Sequence, residues 1–164
     1  MIWKSWQELP DDMRCEAVRP YYDILASKRR DLMIKSVFDR LMAAILLVVL
    51  SPIFLWLAVW IKLDSEGPVF FRQERITQYG KSFRIYKFRT MVQNAEQLGA
   101  QVTSKGDMRV TSVGQALRKC RLDELPQLIN ILEGTMSFVG TRPEVSRYVA
   151  AYTDEMKATL LLPA

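Results

Sequence analysis

Between Leu41 and Ile61 the chain reads LMAAILLVVLSPIFLWLAVWI, twenty-one residues without a charge. That is the length a helix needs to cross a hydrocarbon core about 30 Å thick. The run begins too far into the chain, and lacks the cleavage pattern, for a signal peptide. Ser51-Pro52 stands at its middle. Proline has no N–H to give and crowds the carbonyl four residues earlier, so the pattern predicts a bend. The Val48 carbonyl loses its usual partner there, and the Ser51 hydroxyl is at hand to satisfy it. Basic residues flank both ends: Lys28, Arg29, Arg30, Lys35 and Arg40 before, Lys62, Arg72, Arg75, Lys81 and Arg84 after. Positive flanks favour the cytoplasmic side, so both ends prefer the same face. A re-entrant hairpin satisfies both, and a kinked spanning helix stays open beside it.

Upstream, Trp3, Trp6, Tyr21, Tyr22, Leu25, Leu32 and Met33 stand among many charges. Aromatic residues mixed with Lys and Arg suit a segment lying in the membrane interface; for residues 1–18 a solvated arm is the other reading. Downstream, Val69 to Phe71 and Phe83 to Phe88 are β-prone and Tyr79-Gly80 marks a turn, which predicts a hairpin. A helix is expected over Met91 to Gln101. After a turn at Gly106-Asp107 another should begin near Ser112 and end close to Arg118, Lys119 and Arg121, where cations suit the helix dipole. Leu125, Leu128, Ile129 and Leu132 recur at helical spacing, Pro126 is tolerated within a first turn and Gly134 fits a stop, so this last helix is expected to start near Asp123. There is no internal repeat, low-complexity tract or Gly/Ser linker.

Composition narrows the picture. With 164 residues there is room for one domain with a real core. Twenty-three basic against eighteen acidic side chains give a net charge of +5, which suits an anionic partner: nucleic acid, acidic lipid or a phosphorylated small molecule. Cys15 and Cys120 show no ligand spacing and histidine is absent altogether, so a zinc site of the usual kind is excluded and the thiols read as reduced.

The absence of histidine also removes a common acid–base group, which turns attention to carboxylates. Asp123 and Glu124 follow Arg118, Lys119 and Arg121. At a helix start both acids are favoured as anions, a phosphate is favoured at the same place, and magnesium would let them coexist. An acidic pair there is also a common cap. GTMSFVGTRPEV adds a glycine-containing loop with Arg142 beside a proline, suited to an oxyanion. Lys81, Arg84, Lys87 and Arg89, interleaved with Phe83, Tyr86 and Phe88, fit a nucleic-acid surface, a phosphate site or a solvated strand face.

Taken together, KSVFDRLMAAILLVVLSP, EGPVFFRQERI, FRIYKFRTM, DMRVTSVGQALRK, RLDELPQLINILEGTMSFVG and RPEV keep the order and spacing of one family. From about Lys35 to Tyr148 the chain resembles the bacterial sugar transferases, the monotopic phosphoglycosyl transferases acting on polyprenyl phosphate. The resemblance implies transfer of a phosphosugar from a UDP-sugar to polyprenyl (undecaprenyl) phosphate with release of UMP, initiating polysaccharide or glycoconjugate synthesis. It implies Asp123 as nucleophile in a dyad with Glu124, both serving Mg2+, and a covalent aspartyl-phosphosugar. Arg118 and Arg142 match basic positions of the family and are expected to hold phosphates, with Lys87 and Arg89 as further candidates. Ser51-Pro52 matches the family's helix break, which favours the re-entrant form.

The expected fold is thus α+β and mostly helical. It comprises an interfacial segment over residues 1–36, a membrane-embedded helix–break–helix over 37–63, and a catalytic domain with a small hairpin over 64–164, facing the cytoplasm at the bacterial inner membrane. Partners are the UDP-sugar, polyprenyl phosphate and membrane lipid, not nucleic acid. Three departures stand against the family's pattern: Thr77 where a glycine is common, Thr135 for the aspartate of Gly-Asp-Met-Ser, and Thr141 for the proline of Gly-Pro-Arg-Pro. The chain also stops at LLLPA, where relatives continue, so a shortened member or a truncated piece is expected. Thr135 and that ending keep a catalytically impaired scaffold as the alternative. A membrane-tethered nucleic-acid-binding module, resting on charge and aromatics alone, is a third reading.

Overall fold

A computed structural model describes residues 3–95 and 107–164. The chain is α+β, as expected. In order it forms α1 (Arg19–Ser27), α2 (Arg29–Val49), α3 (Ser51–Asp64), β1 (Phe70–Ile76), β2 (Ser82–Phe88), α4 (Ser112–Lys119), α5 (Gln127–Glu133) and α6 (Ser146–Val149). Short 3-10 turns punctuate it, among them Leu122–Glu124 and Met156–Leu161.

The apolar run divides at Ser51-Pro52 into α2 and α3, which meet at a bend of 62°. The Ser51 hydroxyl donates to the Val48 carbonyl at 2.7 Å, the satisfaction that proline's missing N–H calls for. No single helix among the described residues is long and apolar enough to cross a membrane, whereas the bent pair is by length and composition. Its outer face carries Ile34, Phe38, Leu41, Ile45, Val48, Leu55, Trp56 and Leu63, all exposed, with Val48 at 74% and Leu63 at 82%.

The inner face of the pair is covered. Ala43 packs with Leu128 and Ile131 of α5, and Leu57 and Ile61 with Phe88, Val113 and Leu117. The hairpin is antiparallel, from Phe70 opposite Phe88 to Ile76 opposite Ser82. Its turn places Tyr79 in the left-handed region (φ 59°), and its first strand runs further than the β-prone residues alone suggest, because Arg72 to Arg75 find partners across the ladder.

Three expectations change. Residues 3–18 are not a solvated arm: Leu9, Met13 and Val18 are buried against Tyr22, Ile76, Tyr79, Leu160 and Leu161, with Trp3 and Trp6 packed around them. Ile76, Tyr79, Leu160 and Leu161 lie far away in sequence, beyond the reach of local periodicity. Met91 is bridged to Val110 and the chain turns over 93–95, so the helix expected from Met91 does not begin there; the remainder of that expectation, with Gly106, lies outside the described residues. α5 begins at Gln127 rather than Asp123. Pro126 cannot donate to Leu122, so the residues before it close only i to i+3 turns, with Leu125 N–H bonding Leu122 O at 3.2 Å. Gly134 ends α5 in the left-handed region (φ 80°), as expected.

Asn130 fastens α5 to the sheet. It is fully buried (0% exposed), its Oδ1 accepts from Tyr86 N–H at 2.9 Å and its Nδ2 donates to the Arg84 carbonyl at 3.0 Å. The amide thereby completes the outer edge of β2. Asn130→Leu keeps the bulk but leaves both backbone groups without their partner. Thermal or denaturant unfolding is expected to show a loss of about 2–4 kcal/mol, the cost of two unmet polar groups. An unchanged midpoint would mean the edge is satisfied in another way.

Candidate active site

The acidic pair sits where α4 hands over to α5. Thr111 caps α4 by accepting from Gly114 N–H at 3.0 Å. After Lys119 the chain reverses through Arg121, whose left-handed backbone (φ 57°, ψ 19°) is uncommon for a side chain of this size. Leu122 and Leu125 then turn down beside Leu57, Phe88 and Leu117. With leucines on either side driven into the core, Asp123 and Glu124 are held in one tight turn.

Asp123 is only 9% exposed. Burial pushes its carboxyl above the usual aspartate range, and Glu124 adds to this, while Lys87, its own amide and Arg118 pull the other way. The sequence suggested that a helix dipole would favour the ionised form; with α5 starting four residues later, desolvation prevails instead. Among the described residues no other side chain makes a hydrogen bond to Asp123. The nearby cations are engaged elsewhere: Lys87 Nζ lies 3.0 Å from Glu124 Oε1, and Arg118 Nε donates to Thr90 Oγ1 at 2.8 Å. Arg121 Nη1 is 3.9 Å from Glu124 Oε2. Asp107, clasped by Arg109 through Nε at 2.9 Å and Nη2 at 2.6 Å, is held at a pKa of about 2, and Arg118 contributes to that lowering.

Of the six residues expected at the site, Asp123, Glu124, Lys87 and Arg118 are brought together; Arg89 and Arg142 are not. Arg89 is buried, and its Nη2 donates to the Ser65 carbonyl at 2.6 Å and the Ser65 hydroxyl at 2.9 Å. It ties the end of α3 to the end of β2, and burial lowers its pKa. Arg142 is exposed in the loop after Gly140, where its charge acts on Arg75 beside Glu144. Thr90 and Asn130 do not stand out in the sequence as site residues, and Arg121 stands out there only as a cation at the end of α4. Asn130 leaves a signal, an amide set among Leu and Ile; Thr90 leaves none that a single chain displays, nor does the left-handed backbone of Arg121.

The departures also find their places. Thr135 lies beyond the other end of α5, a seven-residue helix about 10 Å long, and its hydroxyl donates to the Asn130 carbonyl at 3.1 Å. Its carbonyl accepts from the Thr77 hydroxyl at 2.6 Å, so two of the three departures touch each other and neither is at the dyad. Thr141 donates to the Thr159 carbonyl at 3.4 Å.

For a metal, the described residues hold no group of three or more Cys, Asp and Glu side chains in reach of one ion. Magnesium commonly takes only one or two protein oxygens and leaves its remaining positions to substrate phosphate and water, so Asp123 and Glu124 are the residues that would hold it. They do not make a site for a metal alone.

The family profile of bacterial sugar transferases matches residues 30–162. A UDP-N-acetylgalactosamine-undecaprenyl-phosphate N-acetylgalactosaminephosphotransferase of Aeromonas hydrophila is 51% identical over 123 residues, 75% of this chain and 29% of that protein. A UDP-glucose:undecaprenyl-phosphate glucose-1-phosphate transferase of Escherichia coli is 39% identical over 152 residues, 92% of this chain and 32% of that protein. An undecaprenyl-phosphate galactose phosphotransferase of Salmonella typhimurium is 35% identical over 151 residues, covering 82% and 31%. The chain therefore spans about a third of the length of these relatives.

Because burial raises the Asp123 pKa, the folded state holds that proton more tightly than the unfolded chain. Stability is therefore lost as pH rises from the unfolded value through the folded one. Asp123→Asn, which cannot ionise, is expected to unfold at a higher temperature than the wild type near pH 7.5. The gain should fade as pH falls toward 4. A variant less stable than the wild type at neutral pH would contradict this assignment.

Proposed function

The chain belongs to the bacterial sugar transferase family, and on that premise we propose that it moves a phosphosugar from a UDP-sugar to polyprenyl phosphate. The observation that carries this reading is the Asp123 carboxylate: nearly buried, without a side-chain hydrogen bond among the described residues, and flanked by Lys87 and Arg118, which are held by other groups. A carboxylate stripped of water and left unpaired is a better nucleophile than a solvated or ion-paired one.

In the proposed first step an Asp123 carboxylate oxygen attacks the sugar-bearing phosphorus. The new P–O bond replaces the bond to UMP, which leaves with the electron pair. In the second, a phosphate oxygen of polyprenyl phosphate attacks the same phosphorus, the bond to Asp123 breaks, and the carboxylate is regenerated. The second step needs no general base, since a phosphate monoester has a second pKa of about 6, and the first needs none once Asp123 is ionised. This accounts for chemistry in a chain with no histidine. Arg118 holds donor phosphate, while Glu124 keeps Lys87 beside the reacting centre without letting it neutralise Asp123. Asp123 and Glu124 would hold magnesium together with the donor, and the charge neutralisation it would supply when bound would serve the phosphate oxygens of the departing UMP.

The acceptor is a lipid, and the apolar outer face of α2 and α3 supports seating in a bilayer. Their 62° bend and the basic residues at both ends favour a re-entrant pair entering and leaving on the cytoplasmic face of the bacterial inner membrane. Arg30→Cys and Glu66→Cys, each in a background without Cys15 and Cys120, are expected to label with an impermeant maleimide from the same side of inverted vesicles. Labelling from opposite sides would establish a spanning helix.

The reaction is tested by intact mass. The purified full chain, in detergent with magnesium, is exposed in turn to UDP-N-acetylgalactosamine, UDP-galactose and UDP-glucose, the sugars named among its relatives. One donor is expected to add a phosphosugar mass and release UMP, and Asp123→Asn to do neither. UMP release that persists in Asp123→Asn would remove the aspartate from the nucleophile's role.

A further inference from the structure

Arg118 would be expected to close on Asp123 or Asp107, since its charge lowers the proton affinity of both. Instead its Nε is held by a neutral oxygen. We propose that Thr90 is a positioning residue: its hydroxyl holds Arg118 by Nε, keeping the guanidinium off Asp123 and leaving the two terminal nitrogens to grip the donor's phosphates. The proposal rests on the transferase reading above.

The geometry is that of a fixed post and a held arm. Thr90 is buried (7% exposed) and its hydroxyl accepts from Arg118 Nε at 2.8 Å. Its backbone cannot drift, because its carbonyl accepts from Thr111 N–H at 3.1 Å. The contact with α4 is so close that a Cβ on Gly114 would lie 2.1 Å from that carbonyl oxygen. Thr111, Gly114 and Arg118 lie along one side of α4, at the spacing that stacks residues on a helix face. Thr90 is thus clamped at the start of that face and reaches Arg118 one turn further on. On the other side of it, Arg89 is anchored to Ser65.

The held Nε sets which way the planar fork points. No protein group makes a hydrogen bond to the terminal nitrogens of Arg118 among the described residues, and the side chain is half-buried. They are the two donors that grip phosphate oxygens in a bidentate pair. A guanidinium released from Thr90 would find two carboxylates within its field. Pairing with Asp123 would remove both the phosphate grip and the free nucleophile.

The test compares Thr90→Val, which keeps the shape and loses the acceptor, with Thr90→Ser, which keeps the acceptor. Both are measured as full chains in detergent by UMP release. Thr90→Val is expected to raise the donor KM about tenfold, the scale of one charge-assisted hydrogen bond, and to lower kcat as well, since the released guanidinium engages the nucleophile. Thr90→Ser should stay within about twofold of the wild type. In an Arg118→Lys background, which has no Nε to hold, adding Thr90→Val should cost nothing more. A wild-type KM in Thr90→Val, a serine variant no better than valine, or a full additional loss in the lysine background would each overturn the proposal. Should Thr90→Val fail to fold, Arg118→Lys alone decides, with the same tenfold loss expected and a wild-type KM overturning it.

The tether also has a readout independent of turnover. The Arg118 Nε–H resonance should exchange slowly with solvent in the wild type and Thr90→Ser, and rapidly in Thr90→Val. Rapid exchange in an active wild type would sink the tether. A slowly exchanging Nε–H in a wild type that releases no UMP from any donor would instead sink the transferase reading, and with it the phosphate end of this proposal.

Discussion

A two-stranded sheet is marginal by itself, and this one becomes a platform through a single buried amide. Asn130 meets β2 at Tyr86 N–H and the Arg84 carbonyl, and its own carbonyl gathers the Thr135 and Met136 amides after α5 ends. One residue beyond Tyr86 is Lys87; one short turn before α5 is Glu124. The amide therefore sets the register in which Lys87 and Glu124 meet. A slip of one residue along β2 would send Lys87 to the other face of the strand. α5 in turn rests on α2 through Leu128, Ile131 and Ala43, so the same contact joins the sheet to the apolar helices.

Around that frame the site is arranged by restraint. Two cations stand close enough to Asp123 to influence its charge, and each is held by something else, Lys87 by Glu124 and Arg118 by Thr90. Opposite charges in a low-dielectric site attract strongly unless geometry intervenes. Geometry intervenes here through two leucines, a left-handed arginine and a threonine clamped on α4. Burial of Asp123 opposes stability at neutral pH and, under the proposed function, would favour reactivity, a common conflict at working sites.

How much of this could be read from the chain follows the range of the forces involved. The bend at Ser51-Pro52 and the bond from Ser51 to Val48 were legible, because proline acts on its own neighbours. So were the hairpin, the start of α4 and the stop at Gly134, which depend on short-range backbone preference. The start of α5 is not legible in the chain, because a proline suits a first turn in general, whereas here its missing N–H lets only 3-10 turns form before it. Arg89 looked like Lys87 in the run KFRTM, and only the fold sends one toward Glu124 and the other under α3. The burial of Met13 and Val18, and the meeting of Thr77 with Thr135, depend on segments more than fifty residues apart. No local pattern carries such information.

Arg89 has a mechanical consequence. Its guanidinium grips the last turn of α3 through Ser65, while its backbone N–H bonds the Val69 carbonyl at the end of the hairpin. Two residues earlier stands Lys87, and the next residue is Thr90. The rod of α3 and the two restraints on the site's cations are thus linked through one stiff side chain. In a bilayer, α3 would settle at the depth its apolar face prefers, and a thinner or thicker leaflet would push it along its axis. Through Arg89 that displacement would reach Lys87 and Thr90 together, so under the proposed function the thickness of the surrounding lipid would become a variable of the reaction's geometry.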